Sequence, residues 1–204
     1  MTLLLLALVG CLPTAHDGDD SGGAVTSLDG GAGDGGSGDG GTGACTLSQL
    51  DPATLPTVEG ACREPELVTV AYLADGDTFV VDSSQGSETI RFIGVDTPET
   101  GYGSTDEECY GSEASQFTAD AFPVGTCLWL TFDKDCIDPY DRTLAYLHTG
   151  TGEQDFFQRR MLHGGYASVL IFSPNAAFED TFRADEAAAE AAGLGLWGEC
   201  GGNP

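Results

Sequence analysis

The chemistry of this chain is most concentrated between residues 75 and 99. Asp75 and Asp77 flank Gly76, and aspartates in that setting commonly do no more than form a turn. Asp96 follows a continuous apolar stretch, Thr97 and Pro98 turn the chain, and Glu99 sets a second carboxylate beside it. Carboxylates that project past the end of a strand are the oxygen ligands hard divalent cations take. Arg91 stands inside the otherwise apolar run Ile90-Arg91-Phe92-Ile93. A guanidinium there needs an anion, either a protein carboxylate or a bound phosphate. In a chain with six arginines and one lysine, that placement is informative. The histidines suggest no triad: His16 lies in a Gly/Asp-rich stretch, His148 late in a strand and His163 near a helix end. All three read as structural.

These residues must be positioned by a small number of elements. Val68–Leu73, Thr78–Val81 and Thr89–Val95 are rich in β-branched and aromatic residues and are separated by turns at Asp75-Gly76 and 82–87, so they read as strands. Pro98 stops the third. Ser112–Phe122 reads as a helix, with Ser112 as its cap, Glu113 in the first turn and Ala114, Phe117 and Ala121 on one face. Leu128–Phe132 and Thr143–His148 add two strands, and 154–163 and 176–192 look helical, the latter ending at Gly193. The pattern suggests mixed β+α architecture: a five-stranded barrel of the oligonucleotide-binding type (OB-fold) with three packed α-helices.

The amino-terminal third is different. Residues 1–11 form an apolar run ending Leu8-Val9-Gly10-Cys11. The run is too short to span a bilayer and suits a signal-peptide core. Its end resembles a lipobox, in which Cys11 would be lipidated, although no lysine or arginine precedes the run; an ordinary cleaved signal is the alternative. Residues 12–44 contain 12 glycines and six aspartates among 33 residues and read as a flexible tether. Residues 45–65 read as an extension stapled by Cys45 and Cys62, the two cysteines it contains, before a folded domain at 66–204. Beyond Cys11, six cysteines remain, which in an exported chain read as disulfides. No Cys-x-x-Cys pair exists, so a zinc site is disfavoured.

Charge opposes the usual footprint of a nucleic-acid binder. The net charge is −26, with 33 acidic residues against seven basic ones, and residues 66–204 alone carry 24 against six. Counterion release would add little to binding of a polyanion, and long-range steering would be repulsive.

Against that, Ala74-Asp75-Gly76-Asp77-Thr78, Arg91, Val95-Asp96-Thr97-Pro98-Glu99-Thr100, Tyr110-Gly111-Ser112-Glu113-Ala114 and Pro139-Tyr140-Asp141-Arg142-Thr143-Leu144-Ala145-Tyr146 resemble, in order, the thermonuclease (staphylococcal-nuclease-like) family. Gly165-Tyr166-Ala167, Ser173-Pro174-Asn175 and Leu196-Trp197 extend the likeness to about residues 67–200. The resemblance implies a barrel with three helices and hydrolysis of phosphodiester bonds in DNA or RNA. It implies a single calcium ion held by the carboxylates of Asp77 and Asp96 and the carbonyl of Thr97. Glu99 would act as general base or water-orienting group, and Arg91 and Arg142 would bind the phosphoryl oxygens. Tyr140 would hydrogen-bond a substrate phosphate, or simply pack as a half-buried barrel tyrosine.

Some positions depart from the family. Leu170 and Phe172 stand where tyrosines are usual, Pro139 replaces a common lysine, and Asp106, Glu107 and Glu108 make an otherwise basic loop acidic. A high-salt or marine habitat would screen the repulsion; a short or single-stranded substrate is the other accommodation. In the family fold the loops of Cys109 and Cys136 border the site, so a Cys109–Cys136 bridge is expected, leaving Cys127–Cys200 by exclusion. The expectation is an extracytoplasmic, lipid-anchored or secreted monomer. Two alternatives are a non-catalytic binding module on the same barrel and an acidic lipoprotein that binds cations or a partner. The presence of Asp77, Arg91, Asp96, Glu99 and Arg142 together favours the enzyme.

Overall fold

The computed structural model describes residues 46–101 and 106–201. The expected signal segment, the tether, Cys11 and Cys45 lie outside the described residues.

Alternating burial builds the barrel wall. In β1 (Glu66–Leu73), Val68 and Val70 are buried while their neighbours are not. β1 pairs antiparallel with β2 (Thr78–Ser83) and β5 (Cys127–Thr131), and β2 pairs with β3 (Gly86–Phe92). β6 (Thr143–His148) closes the wall, antiparallel to β5 and parallel to β3, so the order is β1-β2-β3-β6-β5. Closure leaves no wall edge unpaired. The interior is filled by Val81, Ile90, Leu128, Leu130 and Leu147 and by Phe79 and Phe92, whose rings meet edge to face at 4.9 Å. The expected mixed five-stranded barrel is therefore what the chain forms.

The third expected strand is in fact two. β3 ends at Phe92, and β4 (Gly94–Asp96) leaves the barrel to pair with β7 (Ser168–Leu170). Gly94 permits the break: its φ is +85°, and a Cβ there would lie 2.5 Å from the ring of Phe182. The consequence is functional, because Asp96 sits at the end of this side strand rather than on the barrel wall.

Among the described residues four α-helices, one more than expected, pack on the barrel: α1 (Gly111–Ala121), α2 (Phe157–Gly164), α3 (Glu179–Ala192) and the single turn α4 (Leu196–Glu199). Ser112 is inside α1, not its cap; the N-cap is Tyr110, held at φ +74°, and Glu107 accepts the Ser112 amide at 3.0 Å. The helix expected over 154–163 is interrupted at Phe156, whose buried, extended backbone bridges to His148. Phe156, Phe178, Phe182 and Tyr146 form an aromatic layer between helices and barrel.

None of the three expected disulfide pairings forms. Cys62 bonds Cys136 and Cys109 bonds Cys200, while Cys127, also disulfide-bonded, is not joined to Cys200. Membership of one segment misled the first pairing. The amide of Cys62 donates to the carbonyl of Asp133 at 2.7 Å, so the extension runs back along the loop that holds Cys136. Cys109 faces the carboxyl-terminal turn rather than the Cys136 loop.

Candidate active site

The acid-bearing turns meet at one end of the barrel. Asp75-Gly76-Asp77 joins β1 to β2, and the amides of Ala74 and Asp75 donate to the Thr78 carbonyl at 3.0 and 3.1 Å. The Asp75 carboxylate accepts the Asp77 amide at 3.1 Å, so turn formation is one of its tasks. From behind, the buried Thr118 hydroxyl of α1 donates to the Gly76 carbonyl at 2.6 Å. From the other side, the Thr97 amide donates to Asp77 Oδ2 at 3.1 Å. Gly76 and Thr97 are so close that no side chain fits between them: a Cβ on Gly76 would lie 2.7 Å from Thr97 Oγ1.

Arg91 ties these turns together. Its Nη1 donates to the carbonyls of Phe92 and Val95 at 2.9 and 2.7 Å, spanning the break between β3 and β4. Its Nη2 reaches Asp96 Oδ1 at 2.6 Å and Asp77 Oδ2 at 3.0 Å. The expected anionic partners are thus the two carboxylates named from the sequence, and sharing one guanidinium nitrogen brings them within reach of a common cation. Asp77 is only 6% exposed, a costly place for a carboxylate without a compensating positive charge.

The neighbouring acids show the same shortage of positive charge. Burial, with the charge of Asp77 added, pushes the Asp75 carboxyl up to about 6. Burial also raises Asp96, with Asp77 and Glu108 adding to it and Arg91 and Arg142 opposing. Glu99 is raised by partial desolvation and then by Asp77, Asp96 and Glu108; it remains exposed, so water screens these effects. Asp75, Glu99, Asp106 and Glu108 line a cavity of about 450 Å³, which neither Asp77 nor Asp96 lines. These carboxylates do not form a group of three with ligand oxygens within 4.8 Å of one another among the described residues, so a hard divalent ion would have to draw them together. Asp77 and Asp96 are only two of the roughly six to eight oxygens calcium takes, so backbone carbonyls and water must complete the shell.

Glu99 is held by its backbone: its amide donates to Glu108 Oε2 and its carbonyl accepts the Glu108 amide, both at 2.9 Å. Arg142 enters from the hairpin before β6. Its charge is felt at Asp96, while Asp138 orients it, accepting from Arg142 Nε at 2.6 Å and from its amide at 2.9 Å. Tyr140 is 79% exposed, with the Arg142 guanidinium 5.5 Å from its ring centroid, so it is not the half-buried barrel tyrosine of the alternative reading. Phe172 is also exposed, whereas Leu170 pairs with Gly94 through β7.

The site thus gathers Asp77, Arg91, Asp96, Thr97 and Glu99 closely, with Arg142 at its border and Tyr140 projecting into solvent. The sequence had not shown three supporting residues. Asp138 could have been noticed from its spacing of four to Arg142, but Thr118 and Glu108 act across folds of the chain that no local pattern reveals. His148 and His163 lie away from the centre, and His16 lies outside the described residues. His148 is buried with Nε2 at 2.9 Å from the Thr131 hydroxyl, and His163 pairs with Asp185 at 2.7 Å. With Glu153 these last two form a three-donor group among the described residues, its ligand atoms within 4.8 Å. Arg159 already occupies it, bonded to both Asp185 oxygens and to Glu153. It therefore acts as an ion-pair clamp between α2 and α3.

A closed barrel whose end carries paired aspartates, an internal arginine and a flanking glutamate defines a class. The family model for staphylococcal nuclease homologues matches residues 89–199, and the chain belongs to that family. Among individual relatives, the thermonuclease of Staphylococcus hyicus is 33% identical over 128 residues, covering 63% of this chain and 73% of the relative. That of Staphylococcus intermedius is 32% identical over 132 residues, with coverages of 65% and 76%. Endonuclease YncB of Bacillus subtilis is 35% identical over 136 residues, with coverages of 66% and 63%.

Proposed function

We propose that this chain is an extracytoplasmic, calcium-dependent nuclease that hydrolyses phosphodiester bonds of DNA, RNA or both, and that it acts as a monomer. The observation that carries the reading is the bridge from Arg91 to Asp77 and Asp96, beside a glutamate whose carboxyl is raised above its ordinary value by partial desolvation and acidic neighbours. Similarity to proteins named thermonuclease and endonuclease supports the same reaction class.

Each side chain contributes chemistry suited to its type. Glu99, raised by partial desolvation and then by its acidic neighbours, is a better acceptor for a proton from attacking water than an unperturbed carboxylate. Arg142 offers donors to phosphoryl oxygens, and Arg91, whose Nη groups are held by Asp77, Asp96 and two carbonyls, would do so once a cation took over those carboxylates. Both would stabilise charge that grows as the bond to the leaving oxygen breaks. Asp138 keeps Arg142 extended towards that position. Calcium would be held by Asp77, Asp96 and the Thr97 carbonyl, and would supply Lewis-acid polarisation of the phosphoryl group. Arg91 offsets part of the charge of the two aspartates, which limits the cost of keeping the site preformed. The acidic surface adds no electrostatic attraction for the substrate, so local contacts and screening by salt carry binding. Export follows from residues 1–11, with a lipid on Cys11 as the anchor and residues 12–44 as the spacer.

The test is to incubate the purified chain with DNA and with RNA, with calcium or with chelator, across salt concentrations. Calcium-dependent cleavage is expected, and no cleavage under any condition refutes the reading. Glu99→Gln and Arg142→Ala should each lose roughly a hundredfold or more in rate while remaining folded. Near-full activity in either removes its assigned role. Mass analysis of the mature amino terminus should find a lipid on Cys11, and an unmodified cysteine ends the anchoring proposal.

A further inference from the structure

We propose that the Cys109–Cys200 disulfide, acting through Glu108, is a positioning device for Glu99, so that this crosslink sets the catalytic rate and not only the stability of the fold. The inference rests on the reading of Glu99 as the group that activates water.

The route is short and continuous. Cys109 follows directly on Glu108, the residue that both donates to and accepts from the Glu99 backbone at 2.9 Å. The Glu108 carbonyl in turn accepts the Gly111 amide at 3.0 Å. Gly111 opens α1 and lies against the Glu99 carbonyl so tightly that any Cβ would overlap it. Between them Tyr110 is held in the left-handed region at φ +74°, a conformation that a non-glycine residue keeps only when its surroundings impose it. Glu99 itself is exposed, so no packed side chain substitutes for these backbone restraints.

The far end of the crosslink is firmly anchored. Cys200 closes α4, its amide donating to the Leu196 carbonyl at 2.9 Å. Leu196 is fully buried, and its amide donates to the Gly165 carbonyl at the end of α2, also at 2.9 Å. The disulfide therefore fastens Glu108, and through it Glu99, to the helical layer packed on the barrel. Asp77 and Asp96 are held apart from this route, by Arg91 of the barrel wall and, for Asp77, by the Thr97 amide. Loss of the crosslink should thus move the base relative to a site that otherwise stays in place.

The test is the double variant Cys109→Ser/Cys200→Ser in the full chain. The kcat is expected to fall by about tenfold to a hundredfold, the scale of an ångström-sized misplacement of a reacting group. KM and calcium affinity should stay within about threefold, because the groups that bind phosphate and metal are held elsewhere. In a Glu99→Gln background the same double substitution should change kcat less than about twofold, since two changes acting through one group are not additive. Amide exchange at Glu99 and Gly111 should quicken while β2 and β3 keep their protection. If the double variant does not fold, Glu108→Ala should give the same kcat loss and the same quickened exchange at the Glu99 amide, and Glu108→Gln, which keeps an acceptor oxygen, should restore both. An unchanged kcat with unchanged exchange at Glu99 overturns the proposal, as does an equal loss in the Glu99→Gln background. Full activity of Glu99→Gln alone is a different outcome: it overturns the general-base reading and, with it, this inference.

Discussion

Replacing Gly76 with alanine probes the fit between the two acid-bearing turns. The added Cβ would lie 2.7 Å from Thr97 Oγ1 and 2.9 Å from both Thr97 Cβ and Cγ2. Carbon atoms in contact sit about 3.5–4.0 Å apart, so the turns must separate by roughly 0.6–1 Å. Thr97 is buried and its amide is bonded to Asp77, so the separation falls directly between Asp77 and Asp96. Metal sites tolerate about 0.2 Å in ligand distance, and an ångström of misplacement costs about a hundredfold in rate. Calcium affinity and kcat should therefore both drop by at least tenfold, with about 1–3 kcal/mol of stability lost to overpacking. Gly86→Ala is the matched control: its φ of +108° strains any side chain, but nothing lies within 4 Å. It should lower stability and leave calcium affinity unchanged. Calorimetric titration with calcium, cleavage rates and urea unfolding on both variants decide the matter. Wild-type affinity and rate in Gly76→Ala would show that the turns do not jointly form the cation site.

Two further outcomes follow from buried charge. Burial lowers His148 from 6.5 to about 4, so below pH 6.5 the unfolded chain binds the proton more readily. His148 therefore removes stability as pH falls from 6.5 towards 4, by up to about 3 kcal/mol. The raised Asp75 works oppositely, contributing stability that is present at low pH and lost as pH rises through about 6. Urea midpoints for wild type minus His148→Gln isolate the histidine, and a pH-independent difference refutes its assignment. Asp138→Ala should lower kcat/KM on a short oligonucleotide by about tenfold to a hundredfold, because Arg142 loses the carboxylate that aims it; an unchanged value would show that Arg142 needs no such support.

Much of the fold was legible because strands and helices announce themselves through local periodicity. The strand over Thr143–His148 and the helix end at Gly193 fall where the pattern put them. The site was legible in part for a different reason: Asp75-Gly76-Asp77 and Val95-Asp96-Thr97-Pro98-Glu99 are each contiguous, and Arg91 stood out as a charge in an apolar run. What the pattern missed was non-local. The break at Gly94 depends on a ring of α3, and the cap of α1 is a tyrosine whose left-handed backbone is imposed by its neighbours.

By itself, then, the sequence determined the residue types available for chemistry, the mixed barrel architecture and the likeness to nucleases, since each is written in short contiguous stretches. Only the tertiary structure decided that Asp77 and Asp96 share one guanidinium nitrogen, that Glu99 is held by Glu108, and that Cys109 meets Cys200 rather than Cys136. Contacts between residues distant in the chain arise from the way closed strands and packed helices return the backbone to the same place, and spacing along the chain carries no measure of that return.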